Sequence, residues 1–273
     1  MKIYHSKILN ILLHQKKSFT TMAETQFKPI LFYTGGSPNG HKISITLEEL
    51  DLKYDMYHIK LSKNEQKEDW FLKINPNGRI PAIVDKSNNN FRVFESGSIM
   101  LYLIDKYDKN HKISFEHGTN LYYEMVSWLF FQNAGIGPMQ GQAHHFVRYA
   151  PEKIDYAIKR YQNETRRLYS VLETRLKENG DWLVGDKMTI ADIAIYPWVN
   201  VSFYGDIDMS EFPKLREWSD RIFAREAVRR GMDVPVPFDW KLKEDKQRVS
   251  DRAKANVDWI LKGQQADAEK KYS

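Results

Sequence analysis

The chain has 273 residues, enough for two domains of ordinary size. An apolar fraction of 42% and a charged fraction of 28% are typical of a soluble globular protein, and a formal net charge of +5 does not indicate a nucleic-acid surface. The absence of cysteine excludes a disulfide scaffold, a thiolate zinc site and a cysteine nucleophile. No apolar run reaches the roughly 18 residues needed to cross a bilayer, so no membrane segment is predicted.

Residues 1–26 stand apart as a basic extension whose first acidic residue is Glu24. Its apolar residues recur on one helical face, as in a mitochondrial presequence, but it lacks arginine. We therefore expect a disordered extension on a cytoplasmic protein, with a mitochondrial location as the alternative if residues 1–22 act as a presequence. Met22 is an alternative start.

Residues 27–109 are predicted to form an α/β domain. A strand over 29–33 is followed by a turn, a helix with apolar residues at i, i+4 and i+7, and a second strand over 54–59. A connection of that length makes the two strands parallel. Two further apolar runs, 82–84 and 91–94, flank a polar turn and predict a hairpin, and a helix follows from Ser96. The order βαβ then ββα is that of a thioredoxin-like domain.

The segment from 75 to 97 combines three features of a binding site. Pro81 at the start of a strand leaves the backbone of Ile80 free to pair with a ligand. Glu95 supplies a carboxylate, and Ser96 is predicted to cap a helix whose free N–H groups favour an anion. A small peptide with an amine and carboxylates would suit this site.

Residues 117–235 show no strand pattern and predict an all-helical domain. Thr189 and Asp192 have the spacing of a capping box, a structural role that carries no chemistry. The final segment, 236–273, is charged and mixed in sign, and it predicts a solvated helical tail that could wrap a partner subunit.

Other polar residues of the helical domain give weaker signals. His144 and His145 are adjacent, so on a helix they point about 100° apart and do not match the i, i+4 spacing of metal ligands. We predict no metal site. Arg148 and Arg160 are expected on the surface, with contact to a ligand carboxylate as the alternative.

Several motifs together give this chain a family resemblance over roughly residues 28–230. It resembles the cytosolic glutathione transferases, in particular the nu-class bacterial enzymes and the fungal proteins similar to the yeast nitrogen-catabolite regulator. The matching stretches are 37–42, 75–81, 95–97, 128–132, 137–139, 141–146 and 182–187. The resemblance implies a thioredoxin-like N-terminal domain, an all-α C-terminal domain, a glutathione site in the first, a second-substrate pocket between them, and a homodimer.

The resemblance also implies roles for residues around the glutathione. Ile80, before a proline that is cis in this family, would pair its backbone with the cysteinyl unit, next to Arg79 and Pro81. Glu95 would hold the γ-glutamyl ammonium and Ser96 its carboxylate. The glycyl carboxylate would bind at two further residues, Gln66 and Lys67.

The resemblance places Ser37 and Asn39 at the sulfur, where they would donate hydrogen bonds and lower the pKa of the thiol. Tyr33 is near the position of the catalytic tyrosine of other classes, but this branch keeps a Ser/Thr-Pro-Asn pattern. Catalysis would activate the ligand's own thiol, so no cofactor is needed and glutathione is the co-substrate.

The predicted function is that of an enzyme: glutathione conjugation to hydrophobic electrophiles, glutathione-dependent reduction of disulfides or peroxides, or both, with roles in detoxification and stress response. The alternative is a non-catalytic regulatory or scaffolding protein of the same fold. Ser37, a hydroxyl where the yeast regulator has alanine, favours the enzyme.

Overall fold

A computed structural model describes residues 27–269. The expectations for the extension 1–26 therefore lie outside the described residues. Within 27–269, no helix is long and apolar enough to cross a membrane.

A four-stranded sheet forms the first domain, with strands β1 (Ile30–Thr34), β2 (Tyr54–His58), β3 (Ala82–Asp85) and β4 (Phe91–Phe94). Their order in the sheet is β2-β1-β3-β4. Strands β1 and β2 are parallel, whereas β3 is antiparallel to both β1 and β4. The predicted crossover and hairpin are confirmed, and with them the thioredoxin-like arrangement. The helices of this domain are α1 (Pro38–Glu49), α2 (Asp69–Leu72) and α3 (Ser96–Tyr107).

The helix α1 lies between the sheet and the second domain. Ile43 and Leu47, one turn apart, are fully buried in the main core. A neighbouring side of the helix also packs, since Ser44 Oγ donates to the carbonyl of Gly231 in the helical domain at 2.6 Å. Burial on several sides holds α1 firmly, and α1 carries site residues at its N-terminal end.

The second domain is helical, as predicted. Two turns of wider, π-helical spacing, Gln132–Ile136 and His145–Tyr149, interrupt it. Its helices are α4 (Asn120–Phe131), α5 (Gly137–His144), α6 (Asp155–Asn179), α7 (Ile190–Asn200), α8 (Pro213–Phe223), α9 (Glu226–Met232) and α10 (Lys246–Glu269).

The predicted capping box at the start of α7 is confirmed. The Thr189 hydroxyl accepts from the N–H of Ala191 at 3.2 Å, and the Thr189 N–H donates to Asp192 Oδ2 at 2.9 Å. The other carboxylate oxygen of Asp192 accepts from Trp218 Nε1 at 2.9 Å. This wholly buried carboxylate therefore ties the helix start to α8.

The C-terminal segment folds back on its own chain. Leu242, Val249 and Ala253 are almost completely buried, and α10 contacts the turn His145–Tyr149. The prediction of a solvated tail is wrong for these residues. Val249, Ala253 and Asn256 recur at intervals of three and four, which makes a narrow inward-facing strip that the surrounding charges conceal in the sequence.

Candidate functional site

The loop before β3 presents an unpaired piece of backbone. Asn75, buried, donates from Nδ2 to the carbonyl of Arg79 at 2.7 Å and accepts from the N–H of Asn77 at 2.9 Å, so its side chain shapes the loop. The Ile80–Pro81 peptide bond is cis. Neither the N–H nor the C=O of Ile80 bonds to a described residue. The loop thus offers the backbone donor and acceptor that the sequence predicts at Ile80.

Glu95 and Ser96 lie where β4 ends and α3 begins. Glu95 has φ +67° and is the N-cap residue, although its side chain makes no capping bond. A non-glycine residue in this region costs roughly 1–3 kcal/mol and is held by its surroundings. The Glu95 carboxylate accepts a hydrogen bond from Asn77 Nδ2 at 3.3 Å. The prediction of Ser96 as the cap is wrong: the chain turns at Glu95 with a positive φ, so Ser96 is the first residue of the helix.

The partner of Ser96 is a buried lysine that the sequence analysis missed. Lys42 is 1% exposed, and its Nζ donates to Ser96 Oγ at 3.1 Å and also to Gln132 Oε1. Burial lowers the pKa of Lys42 from 10.5 to about 7, with Glu95 acting in the opposite direction. A lysine on a helix is almost always exposed unless paired, so position 42 carries no local signal.

The helical domain reaches the same helix start. A side chain at Gly97 would place its Cβ 2.6 Å from Asn133 Nδ2, a separation that Cβ atoms do not tolerate. Glycine at 97 therefore permits the approach of Asn133, next to Gln132 in the first π-helical turn. Side chains of both domains surround the residues predicted to bind the γ-glutamyl group.

Ser37 and Asn39 lie together at the start of α1. Ser37 is the N-cap, and its Oγ accepts from the N–H of Gly40 at 3.2 Å. A Cβ at Gly40 would lie 2.3 Å from Thr34 Oγ1, so glycine is required where the helix meets the end of β1. This contact places both polar side chains at the carboxyl end of β1.

Asn39 is oriented by the other domain. Trp198 Nε1, in α7, donates to Asn39 Oδ1 at 3.0 Å. Because an indole nitrogen only donates, this bond assigns the oxygen of the amide and leaves the NH₂ of Asn39 to donate elsewhere. Sequence reasoning identified Asn39 but missed Trp198, which is distant in the chain.

The remaining predicted residues lie along the same edge. Gln66 is 8% exposed, and its Oε1 has no hydrogen-bond partner among the described residues. The backbone at Gly78, with φ +59°, passes close to both Gln66 and Lys67. A Cβ at this position would lie 3.0 Å from the carbonyl oxygen of Gln66 and 3.0 Å from Cδ of Lys67. Arg79, which follows, is exposed. Gln66, Lys67 and Arg79 are therefore neighbours on one side of the Ile80 loop.

Contacts join these pieces into one site. A Cβ at Gly35 would lie 3.2 Å from Ile80 Cδ1, so the turn after β1 abuts the loop before β3. Asn77 links that loop to Glu95, and Lys42 links α1 to Ser96. The structure thus connects the predicted residues around one face at the carboxyl end of β1.

A cavity of about 160 Å³ adjoins Ser37. Its wall includes His41, His144 and Tyr204. Burial lowers the pKa of His41 to about 4 and that of His144 to about 3, so both rings are neutral near pH 7. His144 also stacks on Trp198, with ring centres 5.9 Å apart. The two adjacent histidines predicted not to bind metal have different ring contacts, because His144 stacks on Trp198 and His145 packs edge-on against Phe146.

The other side chains weighed in the sequence lie elsewhere. Tyr33 packs against Trp70 and Phe71, and burial raises the pKa of its hydroxyl. Arg148 donates to backbone carbonyls and to Asp206, and Arg160 is exposed. Within residues 27–269, no group of three or more His, Cys, Asp or Glu side chains is arranged to hold a metal ion.

Comparison with protein families gives two matches. Residues 28–105 match the glutathione S-transferase N-terminal domain, and residues 137–226 match the glutathione S-transferase C-terminal domain. The two matches contain all the predicted site residues.

Individual relatives agree with the family match. The chain is 46% identical over 200 residues to the protein named disulfide-bond oxidoreductase YfcG of Escherichia coli, covering 72% of this chain and 91% of the relative. A glutathione transferase homologue from Lodderomyces elongisporus, solved with two glutathione molecules per subunit, is 46% identical, with a TM-score of 0.74 over 77% of this chain and 100% of the other.

The fungal branch is also represented among the solved structures. The glutathione transferase URE2P8 of Phanerochaete chrysosporium, solved with oxidized glutathione, is 39% identical, with a TM-score of 0.73 over 77% of this chain and 96% of the other. Two family matches, extensive identity and a shared fold lead to the same conclusion: the chain belongs to the glutathione S-transferase family.

Proposed function

We propose that this protein is an enzyme that binds glutathione, activates its thiol and uses it to reduce small disulfides. Conjugation of glutathione to electrophiles is the second reaction the same activated thiol could perform. The name of the bacterial relative and the two glutathione molecules in a solved neighbour favour disulfide reduction as the first reaction to test.

The γ-glutamyl end of the ligand binds at the start of α3. Glu95 pairs with the ammonium, and Ser96 with the free N–H groups of the helix receives the carboxylate. Lys42 supports this arrangement in its ammonium form, because an ammonium can only donate and therefore occupies Ser96 Oγ as an acceptor. The hydroxyl proton of Ser96 is then available to the ligand.

The middle and the glycyl end follow the edge of the first domain. The free N–H and C=O of Ile80 pair with the cysteinyl backbone, as an added strand pairs with a sheet edge. Gln66, Lys67 and Arg79 face the glycyl carboxylate. The unpartnered, buried Oε1 of Gln66 supports a site that is completed by a ligand's N–H.

The thiol lies between Ser37 and the NH₂ of Asn39. Donors and the positive end of α1 stabilise a thiolate more than a thiol, so they lower the pKa of the bound glutathione sulfur. The observation that carries the proposal is the bond from Trp198 to Asn39 Oδ1, because it fixes the amide with its donor side free.

The reaction has two exchange steps. The glutathione thiolate attacks one sulfur of the disulfide; the S–S bond breaks, a mixed disulfide forms and the leaving thiolate takes a proton. A second glutathione thiolate attacks the glutathione sulfur of the mixed disulfide, giving oxidized glutathione and a second thiol. Two glutathione molecules thus lose two electrons and two protons, and the disulfide gains them.

The test is reduction of hydroxyethyl disulfide by the purified chain, which has no thiol of its own. We expect Asn39→Ala to lower kcat by roughly ten- to a hundredfold with little change in glutathione affinity, since it removes one hydrogen bond to a charged sulfur. Ser96→Ala should instead raise the Kd for glutathione. Equal effects of both changes on Kd and kcat would contradict the assigned roles, and glutathione binding without turnover of disulfides or aryl halides would favour a regulatory protein.

We also propose a homodimer in the cytoplasm. Large apolar side chains are exposed on β4 and α4, namely Phe91, Phe94, Leu121, Tyr123 and Phe130. Exposed apolar groups of this kind are typical of surfaces that a partner covers. Sedimentation equilibrium should give twice the chain mass, and Phe130→Glu should shift it toward the monomer. Imaging of the tagged full-length chain tests the location.

A further inference from the structure

The outer wall of the cavity beside Ser37 comes from the C-terminal segment. Val236, Pro237, Phe238 and Leu242 line one side, and Arg252 and Asn256 of α10 line another. The family matches end at residue 226, so these side chains lie beyond the part of the chain that those matches describe. The segment therefore adds its own chemistry to the space where a second substrate would meet the glutathione sulfur.

Arg252 is the one formally charged residue among the described side chains that line this cavity. It forms no ion pair within residues 27–269, yet its charge acts on His41, Tyr149 and Tyr204 across the cavity. Two acidic groups near this wall have other partners: Asp239 pairs with Arg248 at 3.0 Å and attracts Arg252 only at longer range, and Asp233 accepts from the N–H of Phe238 at 3.0 Å. Arg252 therefore lines the cavity as a positive charge with no ion-pair partner of its own among the described residues.

Asn256 is held in one orientation beside this charge. Its Oδ1 accepts from Trp259 Nε1 at 2.9 Å, and its Nδ2 donates to the carbonyl of Arg252 at 3.0 Å. Because the amide nitrogen carries two hydrogens, one remains for a ligand. An arginine and a fixed amide donor on one helix turn are suited to a carboxylate.

His41 adds a neutral polar group to the opposite wall. It is 6% exposed, packs edge-on against Phe238, and its Nδ1 has no hydrogen-bond partner among the described residues. A buried ring nitrogen without a partner is unusual in a folded chain and points to a ligand or an ordered water. It lines the same cavity as Arg252 and Asn256.

We propose that Arg252 and Asn256 form an anion subsite for the second substrate, which is a small molecule carrying a carboxylate next to its reacting sulfur or electrophilic carbon. The subsite rests on the proposed function, because it presumes that glutathione sulfur reacts beside Ser37. At about 160 Å³ the cavity is close to the ~150 Å³ that accommodates a benzene-sized molecule, so the subsite selects short substrates.

The experiment compares three disulfides of similar length and different charge: dithiodiglycolate, hydroxyethyl disulfide and cystamine. Each kcat/KM is divided by its uncatalysed rate constant with glutathione, which removes the intrinsic effect of charge. We expect the full-length chain to favour the anion, and Arg252→Gln to reduce the anion-to-neutral ratio roughly fivefold, an effect limited by the exposure of Arg252 to solvent. Arg252→Lys should retain part of the preference.

The matched control is Lys254→Gln, which removes one positive charge from an exposed position of the same helix and should leave the ratio unchanged. An unchanged anion-to-neutral ratio in Arg252→Gln, or an equal loss of the ratio in Lys254→Gln, overturns the subsite. The proposed function still stands in that case if the chain reduces the disulfides with glutathione. If no disulfide is turned over, calorimetric titration with dithiodiglycolate decides: weaker binding to Arg252→Gln alone supports the subsite, and equal binding refutes it.

Discussion

Lys42 offers the sharpest test of how glutathione is held. Its Nζ is wholly buried and joins Ser96 Oγ to Gln132 Oε1, linking the two domains under the start of α3. Lys42→Met keeps the length and apolar stem of the side chain but removes the ammonium. We expect the variant to fold and to bind glutathione more weakly, because Ser96 loses the donor that directs its hydroxyl toward the ligand.

The magnitude follows from that contact. A hydrogen bond to a charged group contributes about 1.5–3 kcal/mol, which corresponds to roughly a ten- to 150-fold rise in Kd. Since the pKa of Lys42 is about 7, the ammonium is only about half populated at that pH, and the full effect is expected near pH 6.

The pH dependence has a definite sign. A bound carboxylate favours the ammonium form of Lys42, so binding takes up a proton, and the affinity of the wild-type chain falls as pH rises above about 7. The slope is at most about tenfold per pH unit for one linked proton. Stability changes in the opposite direction: the unfolded chain holds the proton up to pH 10.5, so the free energy of unfolding rises with pH between about 7 and 10.5. Lys42→Met should lack both dependences.

The assay is calorimetric titration with S-methylglutathione between pH 6 and 9, since this ligand has no titrating thiol. Lys53→Met, at an exposed position beyond α1, is the control. The reasoning is refuted if Lys42→Met binds S-methylglutathione with the affinity and the pH dependence of the wild-type chain. A similar loss of affinity in Lys53→Met would show that the effect is not specific to Lys42.

Three further changes test other contacts. Trp198→Phe frees the amide of Asn39, so kcat should fall about tenfold while the Kd for glutathione stays within about twofold, as steady-state kinetics and calorimetry would show. Gly231→Ala places a Cβ 2.6 Å from the backbone Cα of Ile45 in α1; we expect a loss of about 1–3 kcal/mol in urea unfolding, and an unchanged midpoint would contradict that close approach. Asp192→Ala removes the capping box and leaves an indole and backbone donors unpaired, so it should cost about 2–4 kcal/mol in thermal unfolding without altering kinetics at a temperature where the variant is folded.

Much of the first domain was predictable because its signals are local. The apolar spacing of residues 43, 47 and 50 and the hairpin around residues 86–90 each depend on neighbours in the chain. Ile80, Glu95 and Ser96 were likewise found from one continuous stretch. The structure joins the loop of Ile80 to Glu95 through Asn77, and their roles toward glutathione stay a prediction. The cap is Glu95, because the chain turns with a positive φ there.

The supporting residues could not be predicted for a physical reason. Lys42 meets Ser96 and Gln132 across 54 and 90 residues of sequence, and Trp198 meets Asn39 across 159. Such pairs are formed only by the packing of the two domains, and a single sequence contains no periodicity that reports them. The same holds for Arg252, whose position depends on where α10 crosses the cavity.

One consequence concerns how the site moves. The same twelve-residue helix, α1, supports Ser37 and Asn39 at its end and carries Lys42 one turn later. With a rise of about 1.5 Å per residue, residues 39 and 42 are separated by about 4.5 Å along its axis. Any displacement of α1 during thermal motion therefore shifts the anchors of the thiol and of the γ-glutamyl group together. The distance between residues 39 and 42 therefore stays constant during such fluctuations. The distance from α1 to the C-terminal wall of the cavity varies instead.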